Sequence, residues 1–257
     1  MTSKNGFSSR AALAALLAVA LANSAYAGDS AALDLLQRVR DAVPKVAFTA
    51  KATLTSDRGW VRELVLNHKQ VNGVAASYLE VTAPTDLKDT RFLLLDRDTG
   101  RDDQFIYVPS AKRSIQVGTQ TRKQPFLGSE FYVGDLVQPE LDAFTYDFVG
   151  EENVNGRQCK LVQSSPKSPA DEIYGKSILA IDPNDLLVMK TQLFDQSGKL
   201  QKVWTVDKIE KVDGYWTPLV QRMVDVTENH WSKLELSGIT YNAPLADDMF
   251  TRTYLTR

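Results

Sequence analysis

Arg122-Lys-Gln-Pro-Phe-Leu-Gly-Ser-Glu-Phe-Tyr-Val-Gly-Asp-Leu136 sets Phe126, Leu127, Phe131, Tyr132 and Leu136 among Pro125, Gly128 and Gly134. Proline and glycine mark turns, yet a solvated loop does not tolerate this much apolar surface. The segment needs another surface to lie against. Upstream of it, Tyr107-Val-Pro-Ser-Ala-Lys-Arg-Ser-Ile115 brings in the basic pair Lys112 and Arg113.

The rest of the chain supplies such a surface with period two. Phe48, Ala50, Ala52 and Leu54 alternate with Thr49, Lys51, Thr53 and Thr55, the pattern of a strand with one apolar and one wet face. Leu79, Val81 and Ala83 repeat it against Glu80 and Thr82. Met189, Thr191 and Leu193 do so against Lys190 and Gln192, and Leu234 and Leu236 against Glu235 and Ser237. Turn signals separate these runs at Asp57-Arg-Gly59, Val71-Asn-Gly73, Asp98-Thr-Gly100, Val154-Asn-Gly156, Asp182-Pro-Asn184, Gln196-Ser-Gly198 and Val212-Asp-Gly214. No helical pattern intervenes, so the spacing predicts one long meander of about ten or eleven antiparallel strands.

One helix precedes the strands. Ser30 is placed to cap it; Ala32, Leu35, Leu36, Val39 and Val43 fall on one face, and Pro44 stops it. Periodicity alone leaves a sandwich and a curled sheet both open. The amphipathic helix and the apolar loop favour the curled sheet, because each offers non-strand apolar surface to fill a concavity.

The N-terminus reads as a secretory signal over residues 1–27. Lys4 and Arg10 form a positive region, Ala11 to Ala22 an apolar one, and Ala25-Tyr26-Ala27 a small-residue cleavage site before Gly28. The apolar stretch falls short of the ~20 residues that span a bilayer. The mature chain, 28–257, is expected as a single domain in the periplasm. Its formal charge moves from −2 to −4 once Lys4 and Arg10 are removed from the 30 basic residues against 32 acidic ones. That is no footprint for nucleic acid. Cys159, the one cysteine, excludes an intramolecular disulfide and reads as a buried structural thiol in a strand.

Catalytic groups are poorly supported. His68 and His230 are the only histidines and sit in separate strand-like settings. Adjacent acids at Asp102-Asp103 and Asp247-Asp248 point to opposite faces of an extended chain and read as turn residues. Ser129 lacks the second glycine of a nucleophile elbow. No metal, cofactor or catalytic residue is assigned. Trp60, Trp204, Trp216 and Trp231 read as packing groups, whereas Lys112 and Arg113 read either as head-group contacts or as a solvated strand end.

Taken together, the run from Tyr107 through Leu136 resembles the LolA/LolB-like superfamily, in its outer membrane lipoprotein-sorting protein branch. Arg157-Gln-Cys-Lys-Leu-Val-Gln-Ser-Ser-Pro166, Tyr174-Gly-Lys-Ser-Ile-Leu-Ala-Ile-Asp182, Lys199-Leu-Gln-Lys202 and Gly214-Tyr-Trp-Thr-Pro218 fall in that branch's order. Leu234-Glu-Leu-Ser-Gly-Ile-Thr-Tyr-Asn242 and Met249-Phe250 close the match, which extends over roughly residues 45–255. Ala180 stands where the superfamily usually has Trp, and Glu130 where Asp is frequent. The resemblance implies a mainly β, half-open antiparallel barrel with helices or loops as a lid over an acyl-chain cavity. It implies lipid or lipoprotein cargo, an outer-membrane acceptor, a partner transporter of the RND or MMPL type, and a monomer. Phe126, Leu127, Phe131, Tyr132 and Leu136 are the lid candidates. Two classes stay open: a carrier of hydrophobic cargo, or a non-carrying accessory whose apolar patch is an interface.

Overall fold

A computed structural model describes residues 29–96, 103–137 and 139–257. The expected signal, residues 1–27, and the turn at Asp98-Thr-Gly100 lie outside them. The chain opens with helix α1 (Ser30–Ala42), then β1 (Phe48–Ser56), β2 (Val61–Val71), β3 (Val74–Ala83), β4 (Arg91–Asp96), β5 (Asp103–Val108) and β6 (Arg113–Gln116). A short helix α2 (Thr119–Arg122) and the apolar segment follow. Then come β7 (Phe144–Val154), β8 (Arg157–Pro166), β9 (Lys176–Asp182), β10 (Leu187–Phe194), β11 (Leu200–Val212), β12 (Tyr215–Asp225), β13 (His230–Tyr241) and a last turn of helix, α3 (Arg252–Leu255).

All thirteen strands form one antiparallel sheet in the order β6-β5-β4-β3-β2-β1-β13-β12-β11-β10-β9-β8-β7. The count exceeds the expected ten or eleven, because short strands such as β5 and β6 carry too few residues to show alternation. The sheet is also not one meander. Two meanders, β1–β6 and β7–β13, are stitched by the β1–β13 pair, which makes β6 and β7 the edge strands of the sheet among the described residues. Three of the sequence-marked turns are two-residue hairpins, at Asn72-Gly73, Asn155-Gly156 and Asp213-Gly214. In the first, Asn72 and Gly73 have φ of 53° and 82°, the paired positive values of a type I′ turn.

The sheet curls. In a flat sheet β4 and β7 lie ten strand positions apart, on the order of 48 Å at ~4.8 Å per strand. Helix α1 covers only about 17 Å between Asp29 and Arg40 at ~1.5 Å per residue. Yet the Asp29 amide donates to Tyr146 O of β7 at 2.7 Å, and Arg40 lies 3.8 Å from Asp96 of β4. The helix is a chord across the open side of the half-barrel. Its cap is Asp29, whose carboxylate accepts from Ala31 N at 2.8 Å, one residue before the expected Ser30. Val43 leaves the helical face because the residue before a proline avoids the helical region.

Residues directly opposite each other in antiparallel pairs share a face, so register identifies the inner one. Leu236, Ala52, Leu64 and Val81 run across it, as do Leu66, Leu79 and Phe92, and Thr191, Trp204, Met223 and Ser232 on the other half. Ala32, Leu35 and Leu36 of α1 cover its β7–β9 end against Tyr146, Val162 and Ile181. On the outer face, over β3–β5, Phe250 and Leu255 bury Ala76, Tyr78, Leu93 and Phe105.

Two leucines of α1 test the chord. Leu36→Ala, at a site 6 % exposed, is expected to cost about 2–4 kcal/mol in urea denaturation. Leu33→Ala, at 42 % exposure, is expected to cost within about 0.5 kcal/mol.

Candidate functional site

The inner face over β1–β4, β10 and β12 is covered by the segment that opened the sequence analysis. Phe126, Phe131 and Val133 are buried in the same cluster as Ala52, Leu54, Leu64, Leu79, Val81, Phe92, Leu94, Leu193 and Met223. Leu127 and Leu136 are partly buried against it. The Phe92 and Phe126 rings meet edge to face at 4.9 Å. Leu66, Trp204, Leu234 and Leu236 on central strands also keep part of their surface uncovered.

The segment is a small hairpin that belongs to no strand of the sheet. Phe126 N donates to Phe131 O at 2.7 Å, and Val133 N to Gln124 O at 2.9 Å. Ser129 ties the tip, its hydroxyl donating to Phe126 O at 2.6 Å and accepting from Phe131 N at 3.2 Å. Local bonding thus satisfies the backbone and frees the phenyl rings to point at the sheet. Gly134 is required by closeness, because a Cβ there meets Ile173 Cδ1 at 2.3 Å and Arg122 O at 3.2 Å.

Polar anchors hold the hairpin. Lys202 of β11, in phase with Trp204 and Val206 on the inner face, is 1 % exposed. Its ammonium donates to Glu130 O at 2.5 Å and sits 3.2 Å from the centre of the Tyr132 ring. Ser232 Oγ of β13 accepts from Glu130 N at 3.0 Å, and Arg58, in the β1–β2 turn, lies 3.4 Å from Glu130 Oε1. That oxygen is buried with no hydrogen bond of its own. Tyr132 stacks on Tyr174 at 6.1 Å and accepts from Gln201 Nε2 at 3.2 Å. Asp135 accepts from Tyr132 N at 2.8 Å and from Tyr174 OH at 3.1 Å.

These anchors are costly charges. Burial pushes the Asp135 carboxyl above its usual range and only partly yields to the Tyr132 amide and to Lys202. Burial likewise lowers the Lys202 ammonium, against the pull of Asp135, Asp225 and Glu130. The hairpin is therefore held in part by groups whose charged forms are disfavoured by burial.

Of the residues singled out in the sequence, Phe126, Leu127, Phe131, Tyr132 and Leu136 come together here. Lys112 and Arg113 do not. Both are exposed at the start of edge strand β6, Lys112 just before it with φ of 48° and Arg113 as its first residue, and neither makes an ion pair among the described residues. Of the four tryptophans, Trp60 and Trp204 pack against the main core, while Trp216 and Trp231 lie under Arg157 and Arg222. The two histidines have separate partners: His68 stacks on Phe48 at 5.1 Å, and His230 bonds Asp57 at 2.9 Å. Cys159 is fully buried, and burial raises its thiol pKa. The sequence reading missed Lys202, Arg58, Ser232, Asp135 and Tyr174 as parts of the site. One signal was available: Lys202 occupies an inward position of a strand whose inward neighbours are Trp204 and Val206.

A mainly β, unclosed antiparallel sheet wrapped around a helix and a lid-like hairpin is the LolA-like fold. A DUF1329 family protein from Desulfovibrio piger superposes with a TM-score of 0.83 at 22 % identity, over 89 % of this chain and 99 % of that one. A protein described as an outer membrane lipoprotein-sorting protein domain, from Vibrio parahaemolyticus, gives 0.82 at 22 % identity over 89 % and 99 %. A LolA superfamily protein from Nitrosomonas europaea gives 0.65 at 16 % identity over 87 % and 98 %. No curated protein matches the chain. Residues 73–257 match the family model described as "Uncharacterized protein", and the chain belongs to that family.

Two predictions follow from the latch. Gly134→Ala is expected to destabilise by about 1–3 kcal/mol, read from the thermal midpoint, because the hairpin has to shift off Ile173. The second concerns pH. A carboxyl with a raised folded-state pKa binds more protons folded than unfolded, so its share of stability grows as pH falls through that value. Asp57, Asp185 and Asp225, held below their usual range, act in the opposite sense. Subtracting the denaturation profile of Asp135→Asn from that of the wild type should isolate a stability gain on acidification from neutral pH towards ~4. A flat difference would remove Asp135 as a strained group.

Proposed function

We propose that this protein is an exported carrier that holds an apolar chain against the inner face of the half-barrel, with the Gln124–Leu136 hairpin as its lid. The observation that carries this is the burial of Phe126, Phe131 and Val133 in the main core by a segment outside the sheet. A lid with its own aromatic groups occupies the surface a cargo would use, and it competes with that cargo. One sixteen-carbon chain gains about 0.8 kcal/mol per buried CH₂, on the order of 10 kcal/mol in all, before the cost of displacing the lid. Competition of this kind lowers affinity enough to permit handover.

In this reading residues 1–27 act as a cleaved secretory signal, residues 28–257 work in the periplasm as one half-barrel domain, and their chemistry is binding. Cargo of this class is a lipid or the acyl chains of a lipoprotein, passed toward an acceptor at the outer membrane. The Vibrio parahaemolyticus neighbour, described as an outer membrane lipoprotein-sorting protein domain, supports that assignment. A second reading makes the protein an accessory that docks on an RND or MMPL-type transporter. Phe148 and Val149 favour it, since they are 39 % and 47 % exposed at a bulge on the free edge strand β7.

A fluorescent fatty-acid titration of the mature protein separates the two. Wild-type protein is expected to bind the probe saturably. Phe131→Ala removes a ring that holds the lid down, worth about 3 kcal/mol, and is expected to tighten binding by up to about a hundredfold while circular dichroism stays unchanged. If neither protein binds the probe, the accessory reading replaces the carrier.

A further inference from the structure

Three polar contacts converge on one residue of the lid, and a fourth holds a residue close by. Glu130 is reached by Lys202 from β11, Ser232 from β13 and Arg58 from the β1–β2 turn, through its carbonyl, its amide and its carboxylate. The fourth is the Tyr132 ring beside the Lys202 ammonium. Next to Glu130 in the chain stands Phe131, buried in the apolar core. An acidic group joined directly to buried apolar bulk is the chemical outline of a single-chain anionic amphiphile.

When the lid leaves, it takes the Glu130 carbonyl, the Glu130 and Asp135 carboxylates and the Tyr132 ring with it. Lys202 and Arg58 stay on the sheet without them. The acid left nearest in register is Asp225, opposite Lys202 on β12. Its Oδ1 already accepts from Thr227 Oγ1 at 2.6 Å, Thr227 N at 2.9 Å and Glu228 N at 3.1 Å. An ammonium that has lost its carbonyl acceptor and its ring, with Asp225 largely committed to its own turn, attracts an anionic oxygen in apolar surroundings. The fully buried Ser232 hydroxyl is released at the same moment and has a proton to donate. The Glu130 carboxylate itself fits imperfectly, since Oε1 is buried without a hydrogen bond.

We propose that Lys202, Arg58 and Ser232 form a head-group site on the inner face under the hairpin, that it takes the anionic head of an acyl-chain amphiphile, and that Glu130 fills it in the closed state as an internal substitute. This rests on the carrier reading and adds the chemistry of the cargo. A carboxylate and a phosphate monoester both satisfy the site. Neutral heads do not.

The test compares cis-parinaric acid with its methyl ester on wild-type mature protein, Lys202→Met and Arg58→Gln, each checked for fold by circular dichroism and melting. The ratio of the two affinities cancels any general loosening of the lid. Wild type is expected to prefer the acid by about tenfold or more, the range of a charge-assisted hydrogen bond. Lys202→Met is expected to abolish that preference and Arg58→Gln to reduce it, with ester binding retained. Should Lys202→Met fail to fold, Arg58→Gln, altered at a side chain 44 % exposed, decides alone. Displacement of the acid by palmitate or by lysophosphatidic acid, and not by monoacylglycerol, supports the site and tells carboxylate from phosphate. Equal affinities for acid and ester in all three proteins overturn the head-group site and leave the carrier reading standing. Absence of binding of either probe to wild type overturns both.

Discussion

The pairing of β1 with β13 is the constraint on which the other features rest. It joins the first and last strands into a thirteen-strand sheet and leaves β6 and β7 as free edges. A sheet this wide twists and curls, and the apolar residues opposite one another across β1, β13 and their neighbours end on the inside. A curled apolar face without a second sheet has to be covered by something. Here the cover comes in two pieces, both drawn from chain that forms no ladder. Helix α1 crosses from β7 to β4, and the hairpin 124–136 lies over the centre.

The two pieces are held differently. Helix α1 is anchored by apolar side chains that are happy to stay buried, Ala32, Leu35 and Leu36. The hairpin combines such groups with a buried lysine, a half-buried aspartate and a glutamate whose Oε1 lacks a hydrogen bond. Desolvated charges of this kind return little net stability, because their attraction is offset by lost hydration. They do impose geometry, since Lys202 has one acceptor and one ring to satisfy. In the proposed carrier, contacts that are specific but return little net stability suit the hairpin to exchange with a ligand that offers the same groups.

Much of the fold was legible in the sequence because the signals were local. Alternation in Phe48–Thr55 and the Asn72-Gly73, Asn155-Gly156 and Asp213-Gly214 turns each depend on a few adjacent residues. The break between the two meanders was not legible, because pairing of Leu54 with Leu234 is a contact 180 residues apart and no local pattern announces it. Short strands such as Arg113–Gln116 escaped for a different reason, as four residues hold too little pattern. That the segment packs on the sheet was readable from excess apolar content in turn composition, which picked out Phe126 and Phe131. Its polar latch was not, since Arg58, Lys202 and Ser232 converge only once β11, β13 and the β1–β2 turn come together at Glu130. Lys112 and Arg113, chosen for charge near the lid in sequence, lie exposed beside β6 instead.

The central claim is that the hairpin and an apolar cargo compete for the inner face, and amide hydrogen exchange at the hairpin measures that competition directly. In the free protein the amides of Phe126, Glu130 and Val133 are bonded to Phe131 O, Ser232 Oγ and Gln124 O. On saturation with a long-chain fatty acid, the account predicts that Glu130 loses protection while the amides of β1 and β13 keep theirs. Unchanged or increased protection at Glu130, with the fatty acid bound, would contradict it.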